Sequence, residues 1–433
     1  MPKKKARAVQ LVLQASGKHP RELAPALFGV HGAIIAQSGS GKSFLLGRLI
    51  EEVLLTTKAR ALIIDPNSDF LYLNNVAEDI WSDPKIKDCF YPGEDKDAFT
   101  KQWTKLAIRV TSNRNVGSLL PIRIDWGKLS ADEMAAVLNV DARVDPELFA
   151  CIGITADYAA DQWLPTTEPN YDFPFYRARA DELADYLLGG TGTAFLTGHP
   201  IARSLVTGGN QRIAHRLRAY MDVLAGYEIW RHVGEATKDI AEILSAKWRA
   251  LTIDLQSLNT DEERLAIVTR ALETLWAQAK ADLWEATRDP TAADHRVPTF
   301  IVIDEAHNLI PAERSAPAAV RAANMLVRIA AEGRKYGLFL LVSTQRPRKI
   351  DANVLSECEN LILMKMKNET DITYAKDVLG YLEADIGTKA RALGKGDALL
   401  RGNINTTGDI LHCAPRRSVQ GGRSLDDDYW AEP

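Results

Sequence analysis

The stretch Gly32-Ala33-Ile34-Ile35-Ala36-Gln37-Ser38-Gly39-Ser40-Gly41-Lys42-Ser43-Phe44 constrains this chain more than any other. It opens as a short apolar strand and passes through a turn of glycine and serine. It then enters a segment with Leu45, Leu46, Leu49, Ile50, Val53 and Leu54 at helical spacing, so one helix face is expected to be buried. Strand, glycine-rich turn and helix in that order curl consecutive backbone N–H groups around a point at the positive end of a helix dipole. That is a seat for an anion.

In such a seat Gln37, Ser38, Gly39, Ser40, Gly41, Lys42, Ser43 and Phe44 are expected to surround the phosphates of ATP. Lys42 would neutralise the β- and γ-phosphates, and Ser43 would place its hydroxyl on Mg2+. Ala36 stands where glycine usually opens this pattern, and it is small enough to close the strand there.

Two carboxylates, Asp304 and Glu305, follow the apolar run Phe300-Ile301-Val302-Ile303. Ligands of parallel sheets gather at the carboxyl ends of the strands. Asp304 is therefore assigned to the Mg2+ shell and Glu305 to the water that attacks the γ-phosphate. Gln345 follows another apolar run, Leu338 to Val342, by way of Ser343-Thr344. It suits a γ-phosphate sensor or a residue that orients the water, or else a structural polar residue at a strand end. Asp65 ends Ala61-Leu62-Ile63-Ile64; it can assist Mg2+ or water, or simply form the turn before Pro66. Gly333-Arg334-Lys335 can place a guanidinium at a neighbour's nucleotide; read from the residues alone, a solvated basic turn is favoured.

Short apolar strands alternating with helices predict an α/β fold with a mainly parallel sheet covered on both faces. Further strands are expected at Ala250–Leu255 and Leu361–Met364. A helix carrying Leu265, Val268, Leu272, Leu275, Ala279 and Leu283 on one face lies between them. From about Leu129 to Lys247 helical patterns dominate, opened by a capping box at Ser130 and Glu133. Gly189-Gly190-Thr191-Gly192-Thr193 lies in this region without a following Gly-Lys-Ser, and reads as a loop. The expected organisation is a first core part at 1–128, a helical insertion at 129–247, a second core part at 248–415 and a tail at 416–433.

A formal net charge of −4 means that any DNA contact must use a local basic patch rather than the whole surface. No apolar run is long enough to span a membrane, and the amino-terminal residues lack the apolar core of a secretory signal. Cys89, Cys151, Cys358 and Cys413 are widely spaced, which suggests neither a zinc site nor a disulfide framework and fits the cytoplasm. The Lys3-Lys4-Lys5 run with Arg7 can serve as a targeting or DNA-touching arm, but a solvated terminus is the favoured reading.

Several blocks resemble the HerA/FtsK family of hexameric P-loop DNA translocases, and its HerA (DUF87-type) branch most closely. They are Gln37 to Ser43, Ile64-Asp65-Pro66-Asn67, Ile253-Asp254-Leu255, Ile303 to Pro311, Glu332 to Gly337, and Ser343-Thr344-Gln345-Arg346-Pro347 through Ser356. Pro415-Arg416-Arg417 with Gly421-Gly422 closes the set, so the likeness covers roughly residues 30–75 and 245–422.

The resemblance implies a RecA-like core interrupted by the α-helical insertion, and a homo-hexamer with ATP sites between subunits. Duplex DNA is expected in a central pore, with a nuclease or anti-phage defence effector as partner and no membrane. It also implies that Asp65 belongs to the catalytic site and that Arg334 reaches into the next subunit. Arg114, Arg212, Arg314 and Arg321 are candidate pore residues. Members of the branch usually begin with a small β-barrel; with the phosphate loop at residue 36, that barrel is expected to be missing here. Alternative readings are a nucleotide-gated hexameric scaffold and a protein-translocating ATPase of the secretion branch.

Overall fold

The computed structural model describes residues 9–11, 21–23, 29–83, 95–114, 119–161, 173–208, 211–231, 237–288, 294, 296–314, 316–404 and 410–422. The basic run at 3–7, Cys89 and the acidic end from 424 lie outside the described residues.

Strands β1 (Val9–Leu11) and β2 (Arg21–Leu23) pair as a separate antiparallel ribbon. The others are β3 (His31–Ile35), β4 (Arg60–Asp65), β5 (Ile108–Thr111), β6 (Ala250–Asp254), β7 (Thr299–Ile303), β8 (Leu338–Thr344), β9 (Cys358–Met364), β10 (Asp397–Gly402) and β11 (Ile410–His412). They form one sheet in the order β11-β10-β9-β3-β8-β7-β4-β6-β5. Strands β3 to β9 run parallel, and β10 and β11 complete one edge antiparallel. The expected mixed, mainly parallel α/β sheet is therefore present.

Successive side chains of a strand point to opposite faces, so continuous apolar strands need cover on both. Ala33 and Ile35, Leu62 and Ile64, and Ile301 and Ile303 join one buried cluster. Their neighbours Ile34 and Ala36, Ala61 and Ile63, and Phe300 and Val302 join the other. The second face is covered by α1 (Lys42–Thr56) and α2 (Lys96–Trp103). Over the first face lie the helices that follow. These are α3 (Ala131–Val137), α4 (Pro146–Asp161), α5 (Phe173–Leu187), α6 (Ala194–Gly198), α7 (Pro200–Thr207), α8 (Gln211–Ala225), α9 (Ile240–Ser245), α10 (Asp261–Arg288) and α11 (Pro317–Glu332). Three short helices, α12 (Ala352–Ser356), α13 (Glu369–Leu379) and α14 (Ile386–Ala392), flank β9.

The capping box opens α3: the Ser130 hydroxyl accepts from the Glu133 N–H, and the Glu133 carboxylate accepts from the Ser130 N–H at 2.6 Å. Residues 188–193 form a loop between α5 and α6, with Thr193 as the cap of α6. An aromatic cluster fixes the start of the helical segment to its end. Trp126 and Trp230 meet edge-to-face at 4.7 Å, and Phe173 and Tyr176 pack against Trp126. Nothing in the spacing of these residues signals that they meet.

The tail boundary at 416 needs correction. Arg416, Arg417 and Ser418 are buried against α1. Glu51, fully buried on α1, accepts from the backbone N–H groups of Arg417 and Ser418 and pairs with the Arg417 guanidinium at 3.0 Å. Helix α1 is thus buried on its charged side as well as its apolar one, because this carboxy-terminal strap neutralises it. Gly47 admits the strap: any Cβ there would fall inside the Arg416 side chain. Among the described residues no helix is long and apolar enough to cross a membrane.

Candidate active site

The phosphate loop hangs between the ends of two strands. Ala36 N–H donates to Thr344 O, the last residue of β8, and Gln37 N–H donates to Lys365 O, just after β9. Ala36 is fully buried, which explains a small residue at that position. The Ser40 hydroxyl closes the loop by donating to Gln37 O at 2.7 Å. Gly41 caps α1 with φ 98°, a left-handed conformation that L side chains resist. That turn aims the first N–H groups of α1 into the loop. Phe44, on the first turn of α1, is 46% exposed.

Lys42 reaches over β8 to β7. Adjacent strands lie about 4.8 Å apart, so the strand between the loop and the carboxylates leaves a gap a lysine can span. Its ammonium pairs with Asp304, lies 2.8 Å from Glu305 Oε1 and donates to Ser343 Oγ at 3.1 Å. Ser343 Oγ in turn donates to Asp304 Oδ1 at 2.5 Å. Burial alone would depress the Lys42 pKa; the attraction of Asp304 and Glu305 outweighs it and holds the group above the ordinary lysine value.

Asp304 Oδ2 and Glu305 Oε2 are buried without a hydrogen bond among the described residues, although His307 Nδ1 lies 3.3 Å from the latter. Such orphaned carboxylate oxygens beside a phosphate cradle suit the hydrated Mg2+ and the water that accompany a nucleoside triphosphate. Glu305 also holds φ 44°, an uncommon conformation for a non-glycine residue. Strain of this kind concentrates at functional positions.

Asp65, which the sequence offers for Mg2+ or water, holds the loop that carries Asp69. Asp65 is fully buried, and its carboxylate accepts from the backbone N–H groups of Asn67, Asp69 and Phe70. Burial pushes its pKa up to about 7, against the opposing Phe70 hydrogen bond. The loop it folds delivers Asp69, whose Oδ2 accepts from Ser43 Oγ at 2.7 Å. Gln420 of the strap donates to Asp69 Oδ1 at 3.1 Å. Asp69 is the residue that sequence reasoning missed; its only signal is a position four residues after Asp65. His307, part of the Ile303 to Pro311 block but given no role by the sequence, meets Thr344 Oγ1 at 3.2 Å.

Gln345 directly follows β8, half-buried, on the same edge as Asp304 and Glu305. Arg334 lies elsewhere. It occupies the turn before β8 and pairs with Glu359 at the start of β9, half-exposed. The seven residues of β8 separate it from the phosphate loop, which at strand rise amounts to about 20 Å. Among the pore candidates, Arg314 pairs with Asp351, Arg321 with Glu273 at 2.9 Å and Arg114 with Asp254 at 3.2 Å. Those guanidinium groups are committed within the chain, which weighs against a pore role; Arg212 is exposed on α8.

A phosphate loop after β3, a carboxylate pair after β7 and polar residues after the intervening β8 define a RecA-like P-loop ATPase. The chain belongs to the HerA helicase family: the model described as "Helicase HerA, central domain" matches residues 22–275, more than half of it. The model of the ATPase family associated with various cellular activities matches residues 211–366.

A probable helicase of Methanocaldococcus jannaschii is 37% identical over 133 residues, 31% of this chain and 25% of that protein. The DNA double-strand break repair helicase HerA of Sulfurisphaera tokodaii is 38% identical over 109 residues, 25% of this chain and 21% of the relative. The matched segments thus span about a quarter of those relatives. The fold is similar to that of VirB4 of Thermoanaerobacter pseudethanolicus, with TM-score 0.59 and 14% identity over 95% of this chain and 97% of that one. The plasmid coupling protein TrwB matches with TM-score 0.52 and 14% identity over 96% and 92% of the two chains.

Proposed function

We propose that this chain is a Mg2+-dependent ATPase that drives movement along duplex DNA, six copies forming a ring with nucleotide sites between neighbours. The observation that carries the ATPase reading is the buried set Lys42, Asp304, Glu305 and Ser343 at the mouth of the phosphate loop. Lys42 exchanges its carboxylate partners for the β- and γ-phosphates, which frees Glu305 to orient the attacking water and take its proton. Ser43 and Asp304 would hold Mg2+, which supplies charge neutralisation on the phosphate oxygens. Asp65 acts as a positioning residue by folding the loop that carries Asp69, and Gln345 contacts the γ-phosphate.

DNA as the track is supported by relatives named as DNA double-strand break repair helicases, and a nuclease or defence effector as partner rests on the family resemblance alone. Displacement of the third strand from a triplex, with purified protein, ATP and duplex DNA, tests the motor. The expected result is ATP-dependent displacement together with hydrolysis stimulated by DNA. No displacement, with turnover indifferent to DNA, would replace the motor with a nucleotide-gated scaffold.

Arg334 is assigned to the neighbour's nucleotide on the family resemblance, and its place at the opposite end of β8 from its own phosphate loop leaves it no part in its own site. Arg334→Ala is expected to keep ATP binding and lose turnover by about a thousandfold. Mixing it with Glu305→Gln should restore part of the activity, since some interfaces then combine an intact finger with an intact base. A mixture as inactive as its components would mean that Arg334 does not act in trans.

A further inference from the structure

We infer that His412 forms the nucleobase side of the site, a contact that rests on the ATP reading above and extends it. The strand order supplies the direction. Asp304, Glu305 and Gln345 lie on the β8–β7 side of the phosphate loop, and β9, β10 and β11 lie on the other. A triphosphate whose γ-phosphate faces the carboxylates must project its nucleoside toward that second side.

Because β9 is parallel to β3 while β10 and β11 alternate, the end of β9, the start of β10 and the end of β11 share one edge. Met364 stands opposite Ala398, and Asp397 opposite His412. The turn before β10 touches the phosphate loop: Gly396 N–H donates to Ser40 O at 2.9 Å, and the Gly396 backbone lies 3.6 Å from the Cβ position of Gly41. His412 covers that turn, its ring 3.0 Å from the Cβ position of Gly396. Its Nδ1 meets Asp397 Oδ1 at 2.9 Å, so the carboxylate fixes the orientation of the ring. The His412 side chain remains 45% exposed.

An oriented, half-exposed heteroaromatic ring one turn from the phosphate loop, on the side away from the γ-phosphate, suits a purine. A ring in this place gives the site affinity for the nucleoside beyond what the phosphates supply.

Binding of ATP and of inorganic tripolyphosphate to the full chain, wild type and His412→Ala, tests this assignment by calorimetry. The expected result is about tenfold weaker ATP binding with tripolyphosphate binding unchanged, and recovery in His412→Phe, which keeps a stacking face. Unchanged ATP affinity in His412→Ala would overturn the proposal, and so would equal weakening of both ligands, which would mark a merely structural ring. A wild-type chain that bound neither ligand would refute the nucleotide reading itself, and a wild type that bound both equally would remove only the base contact.

Discussion

Lys42→Ala is expected to abolish ATP binding and, in the same stroke, to destabilise the nucleotide-free protein. The first effect is the loss of the cation that meets the β- and γ-phosphates. The second comes from what Lys42 does before any nucleotide arrives. It is the counter-charge of Asp304 and Glu305, both buried. Removing one partner of a buried ion pair leaves uncompensated charge, a loss of about 3–5 kcal/mol. Here two carboxylates would face each other across the emptied position.

Chemical denaturation of the nucleotide-free chain measures the stability loss, and titration with a fluorescent ATP analogue measures binding. The double variant Lys42→Met with Asp304→Asn should recover most of the stability while still failing to bind, because it removes charge from both sides of the pair. An alanine variant as stable as wild type would show that the lysine does not neutralise this pocket.

Glu305→Gln is expected to separate binding from chemistry. The amide keeps the shape of the carboxylate and leaves Lys42, Ser43 and the loop in place, so ATP affinity should change little. It cannot accept the proton of the attacking water, and general-base catalysis is worth about 10²–10⁴-fold. Single-turnover hydrolysis should fall by that factor, and the variant should trap bound ATP. Normal hydrolysis by Glu305→Gln would assign the base elsewhere, with His307, whose Nδ1 lies 3.3 Å from Glu305 Oε2, as the next group to replace.

Much of the site was legible because its chemistry is local. Gln37 to Ser43 specify a turn and a helix start within a few residues, and Asp304-Glu305 announces itself by following an apolar strand. The central strands were legible for a related reason: covered on both faces, they read as unbroken apolar runs. Strands at the sheet edges were not. In β5, Ile108-Arg109-Val110-Thr111 alternates, and β11 has one buried residue between two exposed ones. Segments of four and three residues are too short for their alternation alone to mark a strand.

The sequence by itself determined that a phosphate-binding loop, a carboxylate pair and an α/β sheet stand in one chain. Each of these depends on neighbours in sequence, through backbone conformation and side-chain alternation. Only the tertiary structure decided which distant residues gather around the phosphate loop and α1. It turned Asp65 inward to fold a loop, put Asp69 on Ser43, buried the 416–418 strap against α1 and set His412 beside the phosphate loop. It also placed Arg334 at the opposite end of β8 from the phosphate loop. Those positions follow from strand order and direction, which long crossovers fix and no local pattern encodes.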